Sequence, residues 1–386
     1  MDEPDYLKYS PWPSSSSLAR RLERSFDITK TIIDALLPGQ ENVAQLPGLN
    51  PPHWEFGHLI WFHEFWVHRG GVPSNPSFIK HADALFNSSV IAHADRWRAD
   101  LPTIDVLMDY AFDVLQRTTT LLQSGSLSAE QAYFVQLALF HQDMHNEAFA
   151  YMWQCLGYPW PVVQEPNLPE DRKIAQQSGY IDFSHTRLRL GSAPHTGFMF
   201  DNEKWQHEIL VPPFSVARHA VSNGEYLEFL QLGCTSAEDR TAMHPAYWRH
   251  VGGQWFEKFF DQWLEIDLNA LLRHISASKA ERYCAWRGLR LPTEHELSVL
   301  LASTEAAWTH SDLWEWTSSA FLPFEGFSPD PYHDYSAPWF DGKHRVLKGW
   351  SKFTLADLRR PQYRNFYLPS RQDFFCGFRT CLTSKR

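Results

Sequence analysis

No two of the five cysteines (Cys155, Cys234, Cys284, Cys376 and Cys381) form a CxxC pair, and they are odd in number and widely spread. That pattern excludes a cysteine-built zinc or redox motif and a paired disulfide framework. No stretch approaches the ~18 apolar residues of a membrane span. The opening segment, "MDEPDYLKYSPWPSSSS", lacks both the basic and the apolar region of a signal peptide. A cytoplasmic protein with reduced thiols is expected. Positive charge is also short: 35 Lys and Arg stand against 45 Asp and Glu, for a net charge of -10. Nucleic-acid binding is therefore not expected, since phosphate contacts need concentrated Lys and Arg. There is no internal repeat and no long strand–helix alternation, which argues against a doubly wound sheet.

What is present is apolar and rich in rings. The 386 residues are 44% hydrophobic and include 17 Trp, 27 Phe and 14 Tyr, enough for two domains and for a ring-walled pocket. Residues 1–165 carry helical periodicity in "SLARRLERSFDITKTIIDALL", "HWEFGHLIWFHEFWVHR", "TIDVLMDYAFDVLQRTTTLLQ" and "SAEQAYFVQLALFHQDMHNEAFAYMWQCLG". The last of these opens on Ser128 with Gln131 three residues later, a capping box, and stops at Gly157 and Pro159. Four such helices predict an up-down bundle. A proline-rich linker at 166–180 follows. Over 181–386, "YIDFSHTRLRLGS", "HEILVPPFSVARHAVS" and "HRVLKGW" are short alternating segments, and "SKAERYCAWRG" is a helix ending at Gly288. That mixture predicts an irregular α+β domain.

Within "LFHQDMHNEAF", His141 and His145 are four residues apart, so one helical face can aim both at a single ion. A third ligand is needed. The second helix offers His53, His58, His63 and His68, spaced by five, of which only one or two can turn inward. His58 is preferred because Trp54, Trp61 and Phe62 lie three or four positions away and make its face apolar. Gln142 occupies the position of the general-base Glu in the protease motif HExxH, which argues against a protease. Three neutral imidazoles would leave coordination positions open, as catalysis requires, but residue type alone fits Zn, Fe, Cu or Ni.

Several stretches together resemble a known family. "GHLIWFHEFW" with "HQDMH" is similar to the metal-binding DinB-like helical bundle. "GFMFDNEKWQHEILVPPFSVARHAVSNGEYLEFL", "AERYCAWRGLRLPTEHE", "LWEWTSSAF" and "YRNFYLPSRQDFFCGFRTC" resemble the formylglycine-generating-enzyme-like (C-type-lectin-like) domain. In this order they resemble the ergothioneine-type sulfoxide synthases, nonheme iron enzymes acting on hercynine with O2. "ALFNSSVIAHADRW" and "LALFHQDMHNEAFAYMWQCLGYP" look most like the selenoneine synthase branch, which joins hercynine to a selenosugar.

The resemblance implies Fe(II) on His58, His141 and His145. It also implies a pocket closed by Asn365, Phe366, Tyr367 and Arg371, with Asn365 beside hercynine and Phe366 on its cation or ring. Tyr367 replaces an acid that holds an amino-bearing thiol donor, and the basic segment that grips a carboxylate is reduced to Arg96 and its neighbour Arg98. Both changes favour an uncharged donor. Phe324 occupies the place of the family's proton-donating tyrosine, leaving Tyr332 or Tyr335 as the catalytic substitute, or solvent as the source of the proton. Met144 stands where some relatives carry a substrate-contacting Gln, and Trp350 replaces a glycine. "RLPTEHE" and the Asp201–Asn202–Glu203 stretch are expected to be structural. The alternatives are a cysteine- or γ-glutamylcysteine-using sulfoxide synthase, a zinc-dependent thiol transferase, or a non-catalytic ligand-binding module.

Overall fold

Proline at the first turn and serine or threonine caps set where the helices begin. The computed structural model describes residues 4–8, 12–46, 48–125, 127–163, 178–304 and 308–383. Helix α1 (Ser15–Asp34) starts where the Ser14 hydroxyl accepts from the Ser17 N–H, and α2 (Pro52–His63) has its proline at the first position. A short α3 (Ala82–Phe86) precedes α4 (Ile104–Gln123), capped by Thr103. Helix α5 (Ala129–Leu156) has the reciprocal Ser128–Gln131 capping box and ends at Gly157, whose φ of 71° is the left-handed conformation that glycine adopts freely. Among the described residues no helix is long and apolar enough to cross a membrane.

Helices α1, α2, α4 and α5 pack on one another. The centre of the group is α2 with α5: all of α2 except His53 is buried, as expected for a helix apolar on every side. The last turn of this segment departs from the α-helix expected throughout it. Residues Glu64–His68 form a π turn, closed by the Arg69 N–H donating to the Glu64 carbonyl at 3.2 Å. Widening the repeat brings residues five apart onto one side, and both His63 and His68 reach the Thr118 hydroxyl, at 3.1 and 2.9 Å.

Strands begin at Tyr180. The linker expected at 166–180 lies almost entirely outside the described residues. One four-stranded sheet runs in spatial order Tyr180–Phe183, Phe214–Ala217, Cys381–Leu382, Leu289–Arg290; the other runs Asn365–Tyr367, Arg345–Gly349, Trp314–Ala320, Cys376–Gly377. Small sheets interleaved with helices such as Ala277–Arg287 and Glu294–Ala302 give the irregular α+β arrangement expected. The "RLPTEHE" stretch is structural: Arg290 grips Glu296 with two hydrogen bonds at 2.7 and 2.6 Å, and Glu294 pairs with the buried Arg364. One apolar cluster runs through both parts of the chain, joining Phe62 and Phe140 to Phe198, Phe200, Phe260 and Phe374. The bundle and the sheets therefore share a core, and a pocket forms along their seam.

Candidate metal centre and adjoining pocket

His58 on α2 and His141 and His145 on α5 come together. One ring nitrogen from each lies within 4.8 Å of the other two, and Nε2 of His141 and His145 are 3.1 Å apart. Two imidazole nitrogens about 2.1 Å from one ion and at right angles would be about 3 Å apart, so the spacing suits a shared metal.

Local packing decides which nitrogen points inward. The Phe86 carbonyl can only accept, so Nδ1 of His58 carries the proton and donates at 2.7 Å, leaving Nε2 with its lone pair free. The His58 ring is stacked on Trp54 at 4.9 Å and 9°. Nδ1 of His145 donates to the Glu55 carboxylate, again freeing Nε2. His141 lies flat on Phe62, 3.5 Å between centroids, and its Nδ1 has no hydrogen-bond partner among the described residues.

Burial, and then the neighbouring His145, hold His58 down at about 3; burial depresses His141 far below its ordinary value. Both are therefore neutral donors at physiological pH. Burial alone would raise Glu55, but His145, His58 and the Asn50 amide keep it ionised, at about 2. Three convergent imidazoles with one fixed carboxylate behind them fit a divalent transition metal with open positions.

Beside this centre is a half-open pocket with about 600 Å³ of empty space. Its walls come from Met144, Glu147 and Tyr151 on one side of α5 and from Trp314, Tyr335, Tyr363, Phe374 and the edge strand Asn365–Tyr367 on the other. The edge strand is in antiparallel register with Arg345–Leu347. The buried Lys348 ammonium donates to the carbonyls of Pro361 and Tyr363, at 2.7 and 2.9 Å, and so fixes the segment leading into it. Tyr335 and Tyr363 share a hydroxyl–hydroxyl hydrogen bond of 3.2 Å, and both reach the Met144 sulfur, at 3.7 and 3.2 Å. Burial raises both phenols above their ordinary value of 10, so both stay protonated.

Several residues expected at the site are here. Met144, Tyr335, Asn365, Phe366 and Tyr367 line the pocket. Phe366 is stacked on Phe321 at 4.0 Å, and the Asn365 side-chain oxygen accepts from the Phe366 N–H at 2.8 Å. Tyr332 has its ring 6.1 Å from His141, 4.9 Å from Phe62 and 6.1 Å from the pocket residue Tyr335, and so links the pocket to the histidines. Tyr332 and Tyr335 are thus part of the seam and not free surface aromatics.

Three expectations need correction. Phe324 is not at the pocket: it packs against the second apolar cluster, under Arg364 at 4.2 Å and beside His207 at 4.8 Å. Arg371 is not on the pocket wall. It lies over the Tyr367 ring at 4.3 Å and near the Tyr151 and Phe374 rings at 5.4 and 5.6 Å, with its guanidinium paired to Asp373. Arg96 does not reach toward a substrate either; it covers the outer face of Trp54 at 4.1 Å and donates to the Asn50 side chain at 2.6 Å. Trp350, which stands in place of a glycine, stacks on His310 at 4.0 Å. The Cys376 thiol is fully buried and donates to the Ile275 carbonyl at 3.2 Å, with burial raising its value.

Sequence reasoning missed Glu55, Glu147, Tyr151, Trp314 and Tyr363. Glu55 had a signal: a carboxylate three residues before His58 in an otherwise apolar helix is on the same face. Tyr363 and Trp314 had none, because they arrive from distant strands.

The sulfatase-modifying factor enzyme 1-like domain matches residues 164–311. Hercynine oxygenase of Mycobacterium tuberculosis is 27% identical over 393 residues, covering 86% of this chain and 91% of the relative. Hercynine oxygenase of Mycolicibacterium smegmatis is 25% identical, covering 95% and 97%. Ergothioneine biosynthesis protein 1 of Schizosaccharomyces pombe is 32% identical over 84% of this chain, which spans half of that longer protein. The chain is thus similar, over most of its length, to proteins named for hercynine oxygenation and ergothioneine biosynthesis.

Proposed function

We propose that this chain is an O2-dependent nonheme iron enzyme of the ergothioneine-type family, joining a chalcogen donor to the imidazole of hercynine. In this reading residues 1–165 are a DinB-like bundle carrying the ligands, and residues 181–386 are the formylglycine-generating-enzyme-like domain that closes the pocket. The observation that carries the proposal is the convergence of three imidazole nitrogens beside a ring-lined pocket. Similarity to hercynine oxygenases over most of both chains supports hercynine as the substrate.

His58, His141 and His145 would hold the iron, which when bound supplies Lewis acidity and the electron chemistry with O2 that no side chain provides. The protein's own work is orientation, exclusion of water and handling of protons. The Phe86 carbonyl and Glu55 hold two imidazoles with Nε2 inward. Aromatic walls suit a trimethylammonium compound, since a fixed cation over a ring gains about 0.5–2 kcal/mol. Tyr335 and Tyr363 keep protons ready on the pocket wall, next to Met144.

Relatives named for hercynine oxygenation and ergothioneine biosynthesis favour a sulfur donor, cysteine or γ-glutamylcysteine, and a C–S bond. A second reading, a selenosugar donor and a C–Se bond, is favoured by one feature. The wall residue Tyr367 is a phenol that burial keeps neutral, and the pocket carboxylate Glu147 is already engaged by three donors.

The deciding experiment loads the protein with Fe(II) without air and offers hercynine with cysteine, γ-glutamylcysteine, a thiosugar and a selenosugar together. Air is then admitted and adducts are read by mass spectrometry. A hercynine adduct that is absent from His141→Ala supports the proposal, and its mass assigns the donor. Turnover that needs zinc and no O2 would move the protein to thiol transfer. No adduct from any donor would overturn the catalytic reading.

A further inference from the structure

Two of the three histidines lead back to one arginine that touches neither of them. Arg96 comes from the loop between α3 and α4. Its guanidinium covers Trp54 at 4.1 Å, and Trp54 is stacked on His58. The same group donates through Nη1 to the Asn50 side-chain oxygen at 2.6 Å. With its oxygen so engaged, the Asn50 amide turns its Nδ2 to the Glu55 carboxylate, at 2.6 Å. The other Glu55 oxygen accepts from His145 Nδ1.

We propose that Arg96 is a positioning residue for the histidine centre, setting His58 through Trp54 and His145 through Asn50 and Glu55. The proposal rests on the metal reading given above and adds to it a structural origin for the ligand geometry. A planar guanidinium is suited to this role because it can lie on a ring with its face while donating from its edge. A lysine ammonium in the same place could donate to Asn50 but could not cover Trp54 in the same way. Charge supports the arrangement: the buried Glu55 carboxylate, 3% exposed, has a cation one amide away to balance it. Glu55 and His58 are three residues apart on α2, so both arms of the network end on one helical face.

The test uses full-length protein with Co(II) as the probe, following its visible ligand-field absorption during titration. His141→Ala should abolish the spectrum. Arg96→Ala, Arg96→Lys and Asn50→Ala should each weaken Co(II) binding by about 10–100-fold and shift the absorption bands, the usual effect of losing an outer partner of a ligand. The Asn50→Ala/Arg96→Ala double variant should bind no more weakly than Arg96→Ala, because Asn50 lies on one of the two arms that the loss of Arg96 already releases. Far-UV circular dichroism checks the fold, and the lysine and Asn50 variants keep the test open if Arg96→Ala folds poorly. Wild-type affinity and bands in all three single variants, with His141→Ala silent, would overturn the inference and leave the metal reading standing. Co(II) binding by wild type no tighter than by His141→Ala would overturn both.

Discussion

Tyr335 and Tyr363 face each other across the pocket, hydroxyl to hydroxyl at 3.2 Å, and the Met144 sulfur lies within reach of both. Their values are raised by burial, so neither gives up its proton below pH about 10, the ordinary phenol value. They are equipped to donate protons and not to act as bases. A positioned proton donor contributes about 10²–10⁴-fold to rate. Tyr335→Phe and Tyr363→Phe should each slow adduct formation by at least about 100-fold, with oxidised donor rising in its place. Tyr332→Phe keeps its ring against Phe62 and should slow it by less than about tenfold. Single-turnover mass spectrometry that separates adduct from oxidised donor checks this. Equal rates in all three variants would remove the tyrosines from the chemistry.

Buried histidines should make the metal-free protein acid-sensitive. His58, His63 and His274 are each held down by burial to about 3, and burial also depresses His141 well below its ordinary value. Each takes up a proton only on unfolding. Their contribution to stability is therefore complete above pH 6.5 and is lost as pH falls toward 3. Asp201 works the other way: burial raises it to about 7, so it favours the folded state as pH drops from 7 to the ordinary carboxylate range. The histidines outnumber it, and near pH 5 stability should fall by on the order of 3 kcal/mol per pH unit. Urea midpoints of metal-free protein at pH 7, 6 and 5 measure this. A flat series would show that the histidines are hydrated when the metal is absent.

How much of this could be read in the sequence depends on the range of the interactions involved. The α5 capping box and the His141–His145 pair are local, so spacing is enough to find them, and the apolar neighbours of His58 single out, from four candidates, the histidine that the fold brings beside that pair. The π turn at Glu64–His68 was not legible, because an α-helical repeat puts His63 and His68 on different sides. Arg96 was misassigned for a related reason. Its position follows from how the loop before α4 folds onto α2, and no periodicity records that packing. The three-stranded sheet of Trp248–Val251, Gln254–Phe259 and Gln262–Glu265 was also missed. Its two outer strands are largely exposed and the central one is mostly half-buried on both sides, so the inside–outside alternation that marks a strand is absent.

Glu147 ties the bundle to the sheets. Its carboxylate accepts from the Trp314 indole at 2.8 Å, the Ser351 hydroxyl at 2.5 Å and the Thr354 hydroxyl at 2.7 Å. In Glu147→Ala the two hydroxyls, already 3.3 Å apart, can satisfy each other, but the indole N–H cannot. A buried donor left alone costs about 1–3 kcal/mol, and lost packing adds to it, so the variant should lose about 2–4 kcal/mol. Urea unfolding at pH 7 tests this. A change below about 0.5 kcal/mol would mean that water replaces the carboxylate.

Donor choice should respond to Tyr367. Its ring is held between Phe374, 4.5 Å away, and the Arg371 guanidinium, 4.3 Å away, and Arg371 is already committed to Asp373 by hydrogen bonds of 3.0 and 2.8 Å. The phenol therefore presents a neutral surface to whatever occupies the pocket. An ammonium-bearing donor finds no unengaged anion there, whereas a sugar loses nothing. Tyr367→Asp would place a carboxylate on the wall without removing the partner of Arg371. Hydrogen bonds to charged groups are worth about 1.5–3 kcal/mol, and 1.4 kcal/mol is a factor of ten. The ratio of kcat/KM for cysteine over a selenosugar or thiosugar should then rise by about tenfold or more in the variant, chiefly through a lower KM for cysteine. Competition between the donors in one vessel, read by the adduct ratio, measures that change directly. An unchanged ratio would show that the donor's amino group never approaches this wall, and that selectivity is set elsewhere in the pocket.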